Sequence, residues 1–150
     1  MRLKIIIALS ILVLIVSACG GETNITPNTD ESKIIIDEER SLITFYALIE
    51  NENRGKVGPL YAKFIIYDET LQDAIGGYEV IEFTNDTGEK QPFSIDGKSA
   101  YFISESFLFN AELDNEELVN QVEVVISDEN KMELVQFLIP NIEKHEAPSS

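Results

Sequence analysis

Short runs rich in β-branched and aromatic residues recur along this chain, cut by turn-forming residues at fairly regular spacing, and no segment sustains a 3.6-residue apolar period over ten or more residues. That pattern disfavours helix bundles, solenoids and alternating βα folds, and it predicts an all-β domain. Strands are expected at 34–36, 42–51, 60–67, 78–84, 100–109, 121–127 and 132–139, about seven in all, with a weaker one at 91–95. Gly58-Pro59, Gly76-Gly77, the run 85–88, Asp96-Gly97 and the run 128–131 supply the breaks, since these residues tolerate tight or positive-φ turns. The last two strands, joined through 128–131, form the clearest hairpin. Asp114 followed by Glu117 resembles a helix-capping pair and predicts one short helical turn over 114–118. Two antiparallel sheets packed as a sandwich meet these requirements. The expected core is Phe45, Ala47, Ile49, Phe64, Ile66, Val80, Phe107, Phe109, Val122, Val124, Ile126 and Phe137.

The N-terminus is a different kind of segment. Arg2 and Lys4 precede a run over 5–16 that is apolar except for Ser10. Twelve helical residues cover about 18 Å of a hydrocarbon core about 30 Å thick, which suits the apolar region of a signal peptide and not a spanning helix. Val16, Ser17, Ala18 and Cys19 follow. This segment resembles the bacterial lipobox, in which small residues fit the lipoprotein signal peptidase and the cysteine thiol takes a diacylglyceryl group. The resemblance implies that residues 1–18 are a signal peptide and that lipidated Cys19 becomes the N-terminus, a firm anchor on one bilayer face. Cys19 is the one cysteine in the chain, so lipidation consumes its only thiol. The ordinary secretory signal with a chance cysteine is the competing reading. Gly20 at the next position is compatible with a single-membrane cell surface, which is favoured, or with an outer membrane.

Residues 19–32 are polar and turn-rich and are expected to form the lipidated Cys and a flexible tether, followed by a β-sandwich over 33–140 and a polar tail over 141–150. The 150-residue chain carries 27 Asp and Glu against 11 Lys and Arg, a net charge of −16. Loss of Arg2 and Lys4 with the signal segment would make it −18. This balance excludes a phosphate-coating nucleic-acid binder. It also predicts repulsion of the domain from an anionic surface over about a Debye length, roughly 8 to 10 Å.

The stretch Phe64-Ile65-Ile66-Tyr67-Asp68 is similar to the signature of FxLYD-type extracytoplasmic domains, with Ile66 in place of Leu. The preceding strand, ending Leu48-Ile49-Glu50-Asn51, resembles the ending those domains carry before their turn. The resemblance spans about 43–126 and fits poorly over 72–98. It implies an immunoglobulin-like sandwich with binding or scaffolding roles. In physical terms the motif is structural: Phe64 and Ile66 face the core, Tyr67 sits at the sheet margin and Asp68 starts a turn.

Residues suited to catalysis are sparse. His145 is the only imidazole and lies in the expected tail. The acidic clusters at 37–39, 68–69, 114–117 and 128–129 match no EF-hand spacing and read as a charged rim, with calcium held by several loops as the competing reading. Ser104 and Ser106 lack a nucleophile-elbow sequence, and Gly76-Gly77 lacks the Lys of a phosphate loop. A carboxylate pair for glycoside hydrolysis carries no information among 27 carboxylates, and the chain has no Trp to line a sugar cleft. The expectation is therefore a non-enzymatic lipoprotein without cofactor or metal. It would be anchored through Cys19 and present its sandwich to an envelope or exported protein, with the edge at 78–84 guarded by Glu79 and Glu82. The alternatives are an inhibitor or immunity lipoprotein that inserts the loop 85–90 into an extracytoplasmic hydrolase, and an accessory ligand-binding lipoprotein.

Overall fold

The computed structural model describes residues 23–145. Nine strands make up the described part: β1 Ile25–Asp37, β2 Leu42–Asn51, β3 Val57–Ile66, β4 Val80–Glu82, β5 Phe93–Ile95, β6 Ala100–Leu108, β7 Val122–Asp128, β8 Glu133–Leu138 and β9 Asn141–His145. Two short helices, α1 Glu69–Ala74 and α2 Asn115–Leu118, lie in the connections. One sheet runs β6-β2-β1-β9 and the other β4-β3-β7-β8, with β5 also paired to β3. All ladders are antiparallel except β1 with β9, which is parallel. The second strand flanked by the first and sixth, and the third by the seventh, is the pairing of an immunoglobulin-like sandwich.

Period-two alternation places the core. Along β2, Ile43, Phe45, Ala47 and Ile49 point inward and are fully buried; from β3, Leu60, Phe64 and Ile66 answer them. The Phe45 and Phe64 rings meet edge to face between the sheets, with centroids 5.7 Å apart. Burying one such side chain contributes roughly 1.5–3 kcal/mol. In β7 every residue from Val122 to Ile126 is buried, including Glu123, whose carboxylate accepts a hydrogen bond from the Tyr67 hydroxyl.

Several expectations need correction. The polar stretch expected as a tether is partly strand, because β1 begins at Ile25 and the domain therefore starts before residue 33. Between Asn28 and Lys33 the ladder to β2 bulges, and polar side chains take over its hydrogen bonds. The buried Ser32 hydroxyl donates to the Asn28 carbonyl at 2.7 Å and accepts from the Leu48 amide at 3.0 Å. The expected tail is strand as far as His145, bound to β1 by the Lys33–Glu143 ion pair and by Asn141, whose amide donates to the carbonyls of Thr29, Asp30 and Ser32. Val80 is 47% exposed on the edge strand β4, and Phe107 and Phe109 are only partly buried. A second helix, α1, packs Leu71, Ala74 and Ile75 inward over one and a half turns, too short a period to read from sequence.

Candidate functional site

The two sheets meet at an open seam where β6 ends one sheet and β4 and β5 flank the other. In a seven-strand immunoglobulin domain a further strand covers the equivalent of β6. Here the segment in that position in the chain, β5, pairs with β3 instead, so among the described residues β6 pairs with β2 alone. No described strand covers the other side of its nine residues.

Side chains along this edge follow the pleat. Tyr101, Ile103, Glu105 and Phe107 share the inward face, while Phe102, Ser104, Ser106 and Leu108 face out. Phe102 is 60% exposed and Leu108 73%, an unprotected apolar edge. Aromatic rings line the seam and continue round its β6 edge. Phe93 stacks on Tyr101 at 4.7 Å in the seam, and on the outer face Phe102 contacts Tyr101 and Tyr46, at 6.4 Å and 5.8 Å. Tyr78 contacts Phe107, which contacts Phe45 in the core, and Phe83 contacts Phe64. These last rings are thus rooted in the core, which fixes them.

Two clefts open between these edges. One, of about 250 Å³, is lined by Phe83, Pro92, Phe93, Tyr101 and Phe102. The other, of about 440 Å³, lies between Tyr78, Phe83 and Phe107, with Glu82 and Glu105 at its wall. Glu82 is paired with Lys90 at 2.7 Å, whereas Glu105 makes no ion pair among the described residues. A carboxylate beside aromatic faces suits a cationic side chain.

The structure disperses the residues singled out in the sequence. Cys19, with Val16, Ser17 and Ala18, lies outside the described residues. His145 ends β9 and touches Glu143 at 2.8 Å. Ser106 bonds Thr44 across the strands at 2.8 Å, a cross-strand pair and not a catalytic one. Gly76 and Gly77 close the turn after α1. The acidic clusters have local duties. Asp37 pairs with Arg40, whose guanidinium holds its carboxyl below the usual carboxylate range. Asp68 caps α1, Asp114 caps α2, and Asp128 accepts from the amides of Asn130 and Met132. Among the described residues no group of three or more His, Cys, Asp or Glu could hold a metal ion. An acidic, open hollow of about 770 Å³ lies beside α2, lined by Asp68, Glu112, Asp114, Glu116 and Glu117. The edge expected at 78–84 is an edge, but β4 is three residues long; the long bare edge is β6, which the sequence reading passed over.

No protein-family model matches the chain, and no curated protein matches it. Among solved structures, the chain is similar to the Pseudomonas fluorescens alkylpurine DNA glycosylase AlkC bound to DNA containing an abasic site analog. The identity is 12% and the TM-score 0.39, over 85% of this chain and 33% of that one, so the chain spans about a third of that protein. It is also similar to the ligand binding region of Serine-glutamate repeat protein A of Enterococcus faecium, at 14% identity and a TM-score of 0.39, over 83% of this chain and 99% of that one.

Proposed function

We propose that this chain is a membrane-anchored extracytoplasmic lipoprotein, held through lipidated Cys19, whose sandwich is a non-enzymatic docking module for another envelope or exported protein. The observation that carries the reading is the bare, apolar nine-residue edge of β6 beside an aromatic cleft. Main-chain groups along such an edge can accept an added strand, and the neighbouring pockets then read alternate side chains. Glu105 and the net charge of −18 left after loss of residues 1–18 favour a partner segment carrying Lys or Arg, whose cation enters between Tyr78, Phe83 and Phe107.

The inhibitor reading draws on one observation. The loop 85–89 is tightly closed, since Asn85 Oδ1 accepts from the Thr87 amide, the Thr87 hydroxyl and the Glu89 amide at 2.7 to 3.0 Å. A photo-crosslinking residue placed at Phe102, at Asp86 or at Glu117 in the full lipidated chain separates the two readings in cells. A partner captured from position 102 and not from 117 supports docking on β6. Capture from 86 alone supports the inhibitor reading, and equal capture from all three sites, or none from any, overturns both.

A further inference from the structure

The chain emerges from one end of the sandwich, and that end differs in charge from the rest of the molecule. Ile25, at the start of β1, lies opposite Asn51, at the end of β2, and three turns share this end: 52–56, 96–99 and 129–132. The first two form a braced plate, with the third beside them. The Glu52 amide donates to the Asn24 carbonyl at 3.0 Å, and Asn51 donates its side-chain amide to the carbonyls of Gly55, Ile95 and Asp96 at 2.9 to 3.1 Å. The Lys98 amide donates to the Asn53 carbonyl at 2.9 Å. Gly97 packs so closely that a Cβ would stand 1.9 Å from the Arg54 carbonyl oxygen.

Residues 23–145 contain nine Lys and Arg, and four of them, Arg54, Lys56, Lys98 and Lys131, sit on these three turns with four carboxylates, Glu52, Asp96, Glu129 and the Asp128 that caps the third turn. The other five cations share the rest of the domain with 21 carboxylates, so the charge of this end balances while the remainder is strongly negative. Lys98 pairs with Glu52 at 3.6 Å and Lys56 approaches Asp96 at 4.0 Å, whereas Arg54 and Lys131 have no carboxylate partner among the described residues. Met132, 62% exposed, stands beside Lys131. The surplus negative charge lies elsewhere, much of it on α2 and the turns at the opposite end. The ten residues of β2 set the two ends roughly 33 Å apart.

We propose that this end is a membrane-facing surface that rests on the anionic phospholipid of the bilayer in which the chain is anchored. Arg54 and Lys131 meet headgroup phosphates and Met132 enters the interface. The proposal rests on the lipid anchor at Cys19. Because β1 begins at Ile25, five residue steps join Cys19 to Asn24, a reach of at most about 17 Å, or roughly two Debye lengths at physiological salt. An end held that close whose charge balances, and whose Arg54 and Lys131 have no carboxylate partner among the described residues, can meet headgroup phosphates while the carboxylate-rich end is driven outward. The net −18 left after loss of residues 1–18 therefore orients the anchored domain instead of merely repelling it.

The test uses the full lipidated chain in vesicles of phosphatidylcholine with and without one-third phosphatidylglycerol. Acylation consumes the Cys19 thiol, so Asn130→Cys or Glu117→Cys supplies one fluorophore site, read against a headgroup-borne quencher. Quenching at 130 should exceed that at 117 at least threefold in the anionic vesicles, and the contrast should shrink in high salt and in R54Q/K131Q. Equal quenching at the two positions in protein that co-floats with vesicles overturns the orientation and leaves the anchor standing. Failure to co-float, with the Cys19→Ala chain behaving identically, overturns the anchor and the orientation with it. Unchanged urea unfolding of R54Q/K131Q keeps a loss of contrast from being a folding defect.

Discussion

The Leu48 amide donates to the Ser32 hydroxyl at 3.0 Å, so a side chain stands in the ladder where a backbone carbonyl would otherwise be. Ser32 is fully buried and itself donates to the Asn28 carbonyl, closing the bulge that lets β1 continue through a polar stretch.

Ser32→Ala leaves the Leu48 amide and the Asn28 carbonyl without that partner. The expected loss is about 1–3 kcal/mol of stability, measured by urea unfolding. Ser32→Thr, which keeps the hydroxyl, should lose less. Equal losses for the two variants would show that the bond is not what holds the bulge.

Asn51, 2% exposed, joins the 52–56 turn to the 96–99 turn through three carbonyl acceptors, and its own carbonyl accepts from the Asn53 amide at 2.9 Å. Asn51→Ala should cost about 2–4 kcal/mol, because several buried groups lose their partner together. Asn51→Asp should be at least as damaging, since it turns a carboxylate toward carbonyl oxygens. Hydrogen exchange at 96–99 would rise first, and unchanged exchange there would refute the bracing role.

The Lys33–Glu143 pair makes the β1–β9 ladder sensitive to pH at both extremes. Lys33, and then His145, hold the Glu143 carboxyl below the usual carboxylate range, so its contribution is present above that range and is lost as pH falls through the lowered value. Glu143 raises Lys33 above the usual lysine value, so that contribution persists below the ordinary value and is lost as pH rises through the raised one. Exchange protection of 141–145, corrected for intrinsic rates, should be flat between these limits and fall outside them. Glu143→Gln should remove the acid limb, and an unaltered acid limb in that variant would assign it to another group.

Phe102 is exposed, so Phe102→Ala should change stability by less than about 1 kcal/mol, whereas Phe45→Ala, in the core, should cost about 3–5 kcal/mol. Urea unfolding of both variants checks the difference. A large loss at Phe102 would make the surface row a structural element and remove the case for a docking edge.

Central strands were legible in the sequence because both their faces, or one whole face, are apolar: β2, β3 and β7 alternate or run apolar, and the structure keeps their expected positions to within a few residues. The helical turn at Asp114 was legible from its cap. The strand at 25–32 and β9 were not, because Asn28, Ser32, Asn141 and Glu143 use polar side chains to satisfy backbone or to pair with cations, and composition alone makes them look like linker and tail. The bare edge was hidden for another reason. Which neighbour β5 chooses is a tertiary outcome, and no residue in Phe93-Ser94-Ile95 encodes a preference for β3 over β6.

The parallel ladder of β1 and β9 ties together the first and last of the described strands, pointing the same way. Tension applied between an N-terminal attachment and a load on the C-terminus would slide these strands past one another, stressing every bond of the ladder at once instead of opening it from one end. The Lys33–Glu143 and Lys144–Glu38 pairs lie across that line of force. The arrangement is that of a shear clamp, in which the closing strand resists tension between the two ends of the domain.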